Sequence, residues 1–195
     1  GSEMCIRDSA KVYLNGHEIG YWPYGYNSFY LDATPYMKPG ESNLLAVRLE
    51  NETESSRWYP GAGLYRNVHV IVTENAHIPV WGTYVTTPTA TKEFAKVNVR
   101  TQIVLLEGAD AGKYSVKTSV WNPNGQKLTE QTIPLSQIKY NDNSLSQEFI
   151  IQTPTLWSPD MPALYSAETR LYEGDQLKDI YTTCLLYTSP SPRDS

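Results

Sequence analysis

Arg57-Trp58-Tyr59 places a guanidinium beside two large aromatic rings in consecutive positions. That set can hold a sugar, because the rings cover apolar C–H faces while the guanidinium donates hydrogen bonds to hydroxyls. The loop that follows, Pro60-Gly61-Ala62-Gly63, is built from backbone specialists. Pro60 fixes the entry, and the two glycines permit positive φ or close backbone approach. A loop of this composition presents a surface rather than a ladder. The same residues also suit burial, since Trp58 and Tyr59 can plug a β-sandwich core or pack against another domain.

Other chemistry finds little support. His17, His69 and His77 are scattered with no paired spacing and no cysteine beside them, so no metal or cofactor is expected. There is no Gly-x-Ser-x-Gly nucleophile elbow and no phosphate-cradling glycine loop. A net charge of -5 gives no basic footprint, so no nucleic-acid partner is expected. No apolar run approaches the roughly 20 residues of a membrane helix, so no membrane partner is expected either. A second aromatic cluster, Tyr21-Trp22-Pro23-Tyr24-Gly25-Tyr26, reads as a sugar platform or as core left uncovered.

The elements that must position these residues read as strands. Lys11-Val12-Tyr13-Leu14, then Asn15-Gly16, then His17-Glu18-Ile19-Gly20 is a hairpin signal, because both turn residues need φ > 0. Residues 29–32 read as a strand, 34–37 as a crossover closed by Pro39-Gly40, and 43–50 as a strand from the alternation of Leu45, Val47 and Leu49. Val68, Val70 and Val72 alternate likewise, so residues 67–73 are expected to form the next strand. Glu74-Asn75-Ala76-His77 breaks the pattern as a linker. Strands are then expected at 80–86, 95–106, 113–121, 126–133, 144–151, 163–172 and 176–182, with turns at Asn122-Pro123-Asn124-Gly125 and Gly174-Asp175. Residues 154–162 hold three prolines and run extended, outside any central strand. Seven strands in about a hundred residues suit an immunoglobulin-like sandwich. The fold class is all-β.

The two cysteines, Cys5 and Cys184, sit near the ends. A disulfide is not expected, because the ends read as foreign. The reverse complement of one back-translation of residues 1–9 encodes residues 184–191 in a shifted frame. Both termini resemble one translated sequencing adapter, and such scars are set aside in fold reasoning. The expected organisation is 1–9 and 184–195 adapter-like, 10–73 a partial first sandwich, 74–77 a linker and 78–183 the immunoglobulin-like sandwich.

Several stretches together resemble the non-catalytic N-terminal portion of glycoside hydrolase family 2, of the β-galactosidase type. They are Val12-Tyr13-Leu14-Asn15-Gly16 with Gly20, Gly25-Tyr26, Phe29 and Asp32, then Gly40 and Asn43-Leu44-Leu45-Ala46-Val47-Arg48. The most specific is RWYPGAGLYRNV at 57–68, supported by Trp81-Gly82-Thr83, Leu156-Trp157-Ser158-Pro159 and Pro162-Ala163-Leu164-Tyr165. The resemblance implies a galactose-binding-like jelly roll, an immunoglobulin-like domain and then a catalytic (β/α)₈ barrel. Residues 10–73 correspond to the C-terminal half of the jelly roll, and the barrel lies outside the chain.

Retaining glycosidases need two carboxylates about 5–5.5 Å apart, and the family draws both from the barrel, so no catalytic residue is expected here. Asn51-Glu52 superficially resembles the family's acid/base pair, but Thr53-Glu54-Ser55-Ser56 follows it as a solvated loop. The resemblance further implies that Ser56, with Arg57, Trp58 and Tyr59, lies where the jelly roll meets the barrel mouth. There these residues contact substrate or pack on the barrel; some members carry an acidic group where Ser56 stands. The implied partners are carbohydrate and the barrel of the same parent chain, and the implied location of the parent is periplasmic or secreted. The implied parent hydrolyses β-galactosides or related β-glycosides. A stand-alone carbohydrate-binding module and a structural β-sandwich protein are the alternatives.

Overall fold

Asn15 and Gly16 adopt φ of 52° and 86°, the left-handed pair that a two-residue hairpin turn with right-handed strand twist requires. They join β1 (Asp8–Leu14) to β2 (His17–Trp22). β1 pairs on its other side with β3 (Leu45–Asn51), all antiparallel, in the order β2-β1-β3. This computed structural model describes residues 8–25, 27–51, 63–64, 66–137, 144–185 and 187. It comprises two compact units, Gly1–Val70 and Ile71–Ser195. The division lies a few residues before the expected linker at 74–77.

In the first unit, alternation along β1 buries Val12 and Leu14 on one face. Between β2 and β3 the chain makes a 3-10 turn, Thr34–Tyr36, entered by the Asp32 carboxylate accepting the Thr34 N–H at 2.9 Å. The expected strand at 29–32 does not form among the described residues. Residues 67–73 likewise form no strand, and Val68, Val70 and Val72 are exposed. Alternating β-branched residues favour extended backbone, but a strand needs a neighbour to accept its N–H groups, and no described segment pairs with this one.

The second unit is a sandwich. Its strands are β4 (Ala76–His77), β5 (Thr83–Ala90), β6 (Phe94–Gln102), β7 (Val104–Leu105), β8 (Tyr114–Trp121), β9 (Lys127–Pro134), β10 (Ser144–Gln152), β11 (Tyr165–Glu173) and β12 (Gln176–Leu185). One sheet has the order β10-β6-β5, the other β12-β11-β8-β9, and β4 pairs with β7. Three strands facing four is an immunoglobulin-like arrangement in which the fourth strand, β9, has joined the sheet of the third, β8. The structure is all-β, with no α-helix among the described residues.

Three expected strands of the second unit change their bounds by more than two residues. The strand placed at 80–86 starts at Thr83, because Val80 and Trp81 make a turn, and it runs on through Pro88 as an edge strand with a bulge between Thr86 and Thr89. The expected 95–106 splits at Ile103, so that β6 and β7 pair in different sheets. At the C-terminal end, β12 continues past Thr183. Cys184 pairs with Ser166 and Leu185 with Tyr165, and Leu185 and Tyr187 are buried.

Inward side chains at every second position form two apolar clusters. Val97, Val99, Val120, Phe149 and Ala167 belong to one, and Ile103, Val116, Leu145 and Leu171 to the other. Each Val, Leu, Ile or Phe among them contributes on the order of 1.5–3 kcal/mol when fully buried. Between the clusters lies a polar layer with one residue from each of β6, β8, β10 and β11: Thr101, Thr118, Gln147 and Thr169, all at most 1% exposed. The Thr118 hydroxyl donates to Gln147 Oε1 at 2.5 Å and lies 3.3 Å from the Thr169 hydroxyl. Gln147 Nε2 donates to the Gln131 carbonyl at 2.9 Å, which ties one sheet to the other. A one-residue slip of any of these strands would turn its polar side chain outward and break the layer.

Replacing Thr118 by Val keeps the shape and removes the donor to a buried amide oxygen. The expected loss is about 1–3 kcal/mol, read as a lower urea midpoint at unchanged slope. A neutral result would mean that the layer is not held by this bond.

Candidate functional site

The residues singled out for sugar contact, Ser56, Arg57, Trp58 and Tyr59, lie outside the described residues, as does Glu52. Of the loop that carries them, Gly63, Leu64 and residues 66–68 are described, and Leu64 and Val68 are exposed. The second aromatic cluster is described except for Tyr26. Trp22 stacks on Phe29 at a centroid distance of 5.3 Å with the rings 14° from parallel, and Tyr24 meets it edge-on at 6.0 Å. Phe29 therefore covers one face of the indole, whose Nε1 is buried without a partner. Tyr21, Tyr24 and Tyr30 remain exposed at the rim.

The hairpin asparagine does more than turn the chain. The Asn15 amide donates to the Tyr36 carbonyl at 2.9 Å and to Asn43 Oδ1 at 2.8 Å, and its own Oδ1 accepts the Leu44 N–H at 3.0 Å. Asn43 in turn donates to the Lys38 and Glu41 carbonyls and accepts the Lys38 N–H. Two asparagines thus pin the loop between β2 and β3 against the hairpin, and His17 stacks on Tyr36 at 4.8 Å beside them. Asn43 was legible only as part of a family-like run; its partner lies 28 residues away.

The entry to the second unit is held by β12. Asp179, Tyr181 and Thr183 share one face of that strand. Asp179 Oδ2 accepts the Ile78 N–H at 2.8 Å, the Tyr181 hydroxyl accepts the Trp81 N–H at 3.1 Å, and the Thr83 and Thr183 hydroxyls meet at 2.5 Å. Trp81 sits at φ 58°, an uncommon conformation for a bulky residue. Gly82 after it is obligatory, because a Cβ there would stand 2.7 Å from the Pro79 carbonyl oxygen.

The electrostatics do not favour acid catalysis among the described residues. A glycosidase acid needs a carboxyl pKa raised toward neutrality, yet every carboxyl whose pKa moves goes down. The Thr34 hydroxyl and N–H lower Asp32, the Thr91 hydroxyl and its own N–H lower Glu93, and Lys127 with Ser119 lowers Glu130. Glu50, Glu148 and Glu168 sit in ion pairs with Lys11 and Arg48, Lys96 and Arg170 respectively. Lys178 bridges Glu74 at 3.0 Å and Glu173 at 3.2 Å, which raises its pKa. No group of three or more His, Cys, Asp or Glu could hold a metal ion among the described residues.

Comparison with known proteins adds the family. The chain is 36% identical over 176 residues to the beta-galactosidase BoGH2A of Bacteroides ovatus, which covers 90% of this chain and 21% of that protein. It is 28% identical to a beta-galactosidase of Thermoanaerobacter pseudethanolicus, over 89% of this chain and 23% of that protein. The chain therefore spans about a fifth of the curated relatives it matches. Among solved structures, a glycosyl hydrolase family 2 member from Bacteroides cellulosilyticus superposes with a TM-score of 0.81 at 33% identity, over 94% of this chain and 26% of that one. The sequence profile described as Glycosyl hydrolases family 2 matches residues 76–184. With that profile across the sandwich and a relative aligned over nine-tenths of its length, the chain belongs to glycosyl hydrolase family 2.

Proposed function

We propose that this chain is a non-catalytic N-terminal part of a retaining glycoside hydrolase that cleaves β-galactosides or related β-glycosides. The observation that carries the reading is the match itself. Relatives named as beta-galactosidases align over nearly all of this chain but only about a fifth of their own length. The chemistry agrees with it. Asp32, Glu93 and Glu130 are lowered in pKa, and Glu50, Glu148 and Glu168 are paired with cations, which suits a scaffold and not a general acid. The paired carboxylates belong to a barrel in the same parent chain, the partner against which the 56–59 segment lies. Ser56, Arg57, Trp58 and Tyr59 there contact substrate or pack on the barrel.

The chain alone is expected to release no product from an aryl β-galactoside or an aryl β-glucuronide. The same chain in its parent, continuous with the barrel, is expected to turn over the galactoside. Arg57→Ala and Trp58→Ala in that parent separate the two roles. A raised KM assigns sugar contact, whereas unchanged kinetics with a lower melting temperature assigns packing. Turnover by the chain alone would overturn the reading.

A further inference from the structure

One end of the second unit holds an open cleft of about 490 Å³, bordered by the turn at 122–125, the end of β10 with residues 153–155, and residues 161–165 leading into β11. Its volume falls within the roughly 300–1,000 Å³ usual for small-molecule sites. Its polar lining is Asn122, Asn124, Gln152, Thr153, Thr155 and Tyr165, and no charged side chain among the described residues lines it. Exposed Met161 and Leu128 contribute apolar lining.

Three features make it a built site. Thr153 sits at φ 43°, which is disfavoured for a β-branched side chain and disfavoured again before Pro154. Its N–H is held by the Glu93 carbonyl at 2.8 Å. Strain of this kind persists where the surroundings enforce it, and such places are often ligand sites. Tyr165, only 4% exposed, accepts the Thr155 N–H on its hydroxyl at 2.9 Å, which leaves its own O–H proton to donate. Asn122 commits its carbonyl oxygen to the N–H groups of Asn124 and Gln126, while its amide makes only a long 3.4 Å contact with Gln126.

From these features we infer that the cleft binds a short neutral oligosaccharide. Hydroxyl, amide and carboxamide groups among apolar walls match a ligand that alternates hydroxyls with C–H faces. The absence of Lys and Arg denies a uronate or phosphate the charge-assisted bonds that would offset its desolvation. A peptide is a poorer match, because strand addition needs a length of open edge, and β10 contributes only Ile151 and Gln152. The inference goes beyond the catalytic reading, which stands whether or not this cleft binds.

The test is an NMR titration of the ¹⁵N-labelled full chain with lactose and, separately, with methyl β-glucuronide. Lactose is expected to give saturable shifts at Asn124, Gln152, Thr153 and Thr155, and the glucuronide none. Asn124→Ala and Gln152→Ala should each weaken lactose binding about fivefold, the worth of one neutral hydrogen bond. Met161→Asp should abolish it, and Tyr84→Ala, on exposed β5 outside the cleft, should leave it unchanged. Each variant is checked for a native spectrum first. Absence of saturable shifts with lactose, equal shifts with the glucuronide, or binding indifferent to Asn124 and Gln152 would overturn the inference.

Discussion

The attachment of residues 78–83 to β12 is the contact on which the second unit depends. Three side chains spaced by two along one strand receive three successive points of a segment about 100 residues earlier. Without that contact, Ala76 and Ile78 would leave the apolar cluster that also holds Ile103, Val116 and Leu171. The left-handed Trp81, whose strain is roughly 1–3 kcal/mol, would lose the bond from its N–H to the Tyr181 hydroxyl. The short β4–β7 pairing and the Lys178 bridge between Glu74 and Glu173 reinforce the same seam.

The polar layer and this seam divide the work of specificity. Thr101, Thr118, Gln147 and Thr169 fix the register of β6, β8, β10 and β11 from inside the core. The seam fixes where the chain enters. Both are polar devices within an apolar sandwich, where a bond left unmade costs more than a bond made contributes. Together they leave one packing that satisfies every layer member except Thr101, whose hydroxyl is buried without a partner.

Much of the fold was legible because it is local. Asn15-Gly16 specified its hairpin, Asn122-Pro123-Asn124-Gly125 joined β8 to β9, and Gly174-Asp175 joined β11 to β12. The alternation in β6, β8, β10 and β11 marked their buried faces. What failed was non-local. Val68, Val70 and Val72 carry a strand pattern, but pairing depends on a neighbour that the pattern does not contain. Trp81 gave no sign of a left-handed turn, and Asp179 reads as an ordinary surface acid until its partner 101 residues away is known. The candidate sugar residues were legible only through types and resemblance, and Ser56, Arg57, Trp58 and Tyr59 lie outside the described residues. The cleft has no signature in sequence, since its lining comes from three separate segments.

Native-state hydrogen exchange of the Ile78 and Trp81 amides, in the chain as it stands and in Asp179→Ala, tests the central claim most directly. If the seam belongs to the cooperative core, both amides exchange only on global unfolding, with the same free energy as amides of β8 and β11. In Asp179→Ala their protection should collapse, while that of β6 and β10 should fall only by the global loss of stability. Exchange of Ile78 and Trp81 at loop rates in the unaltered chain would contradict the account.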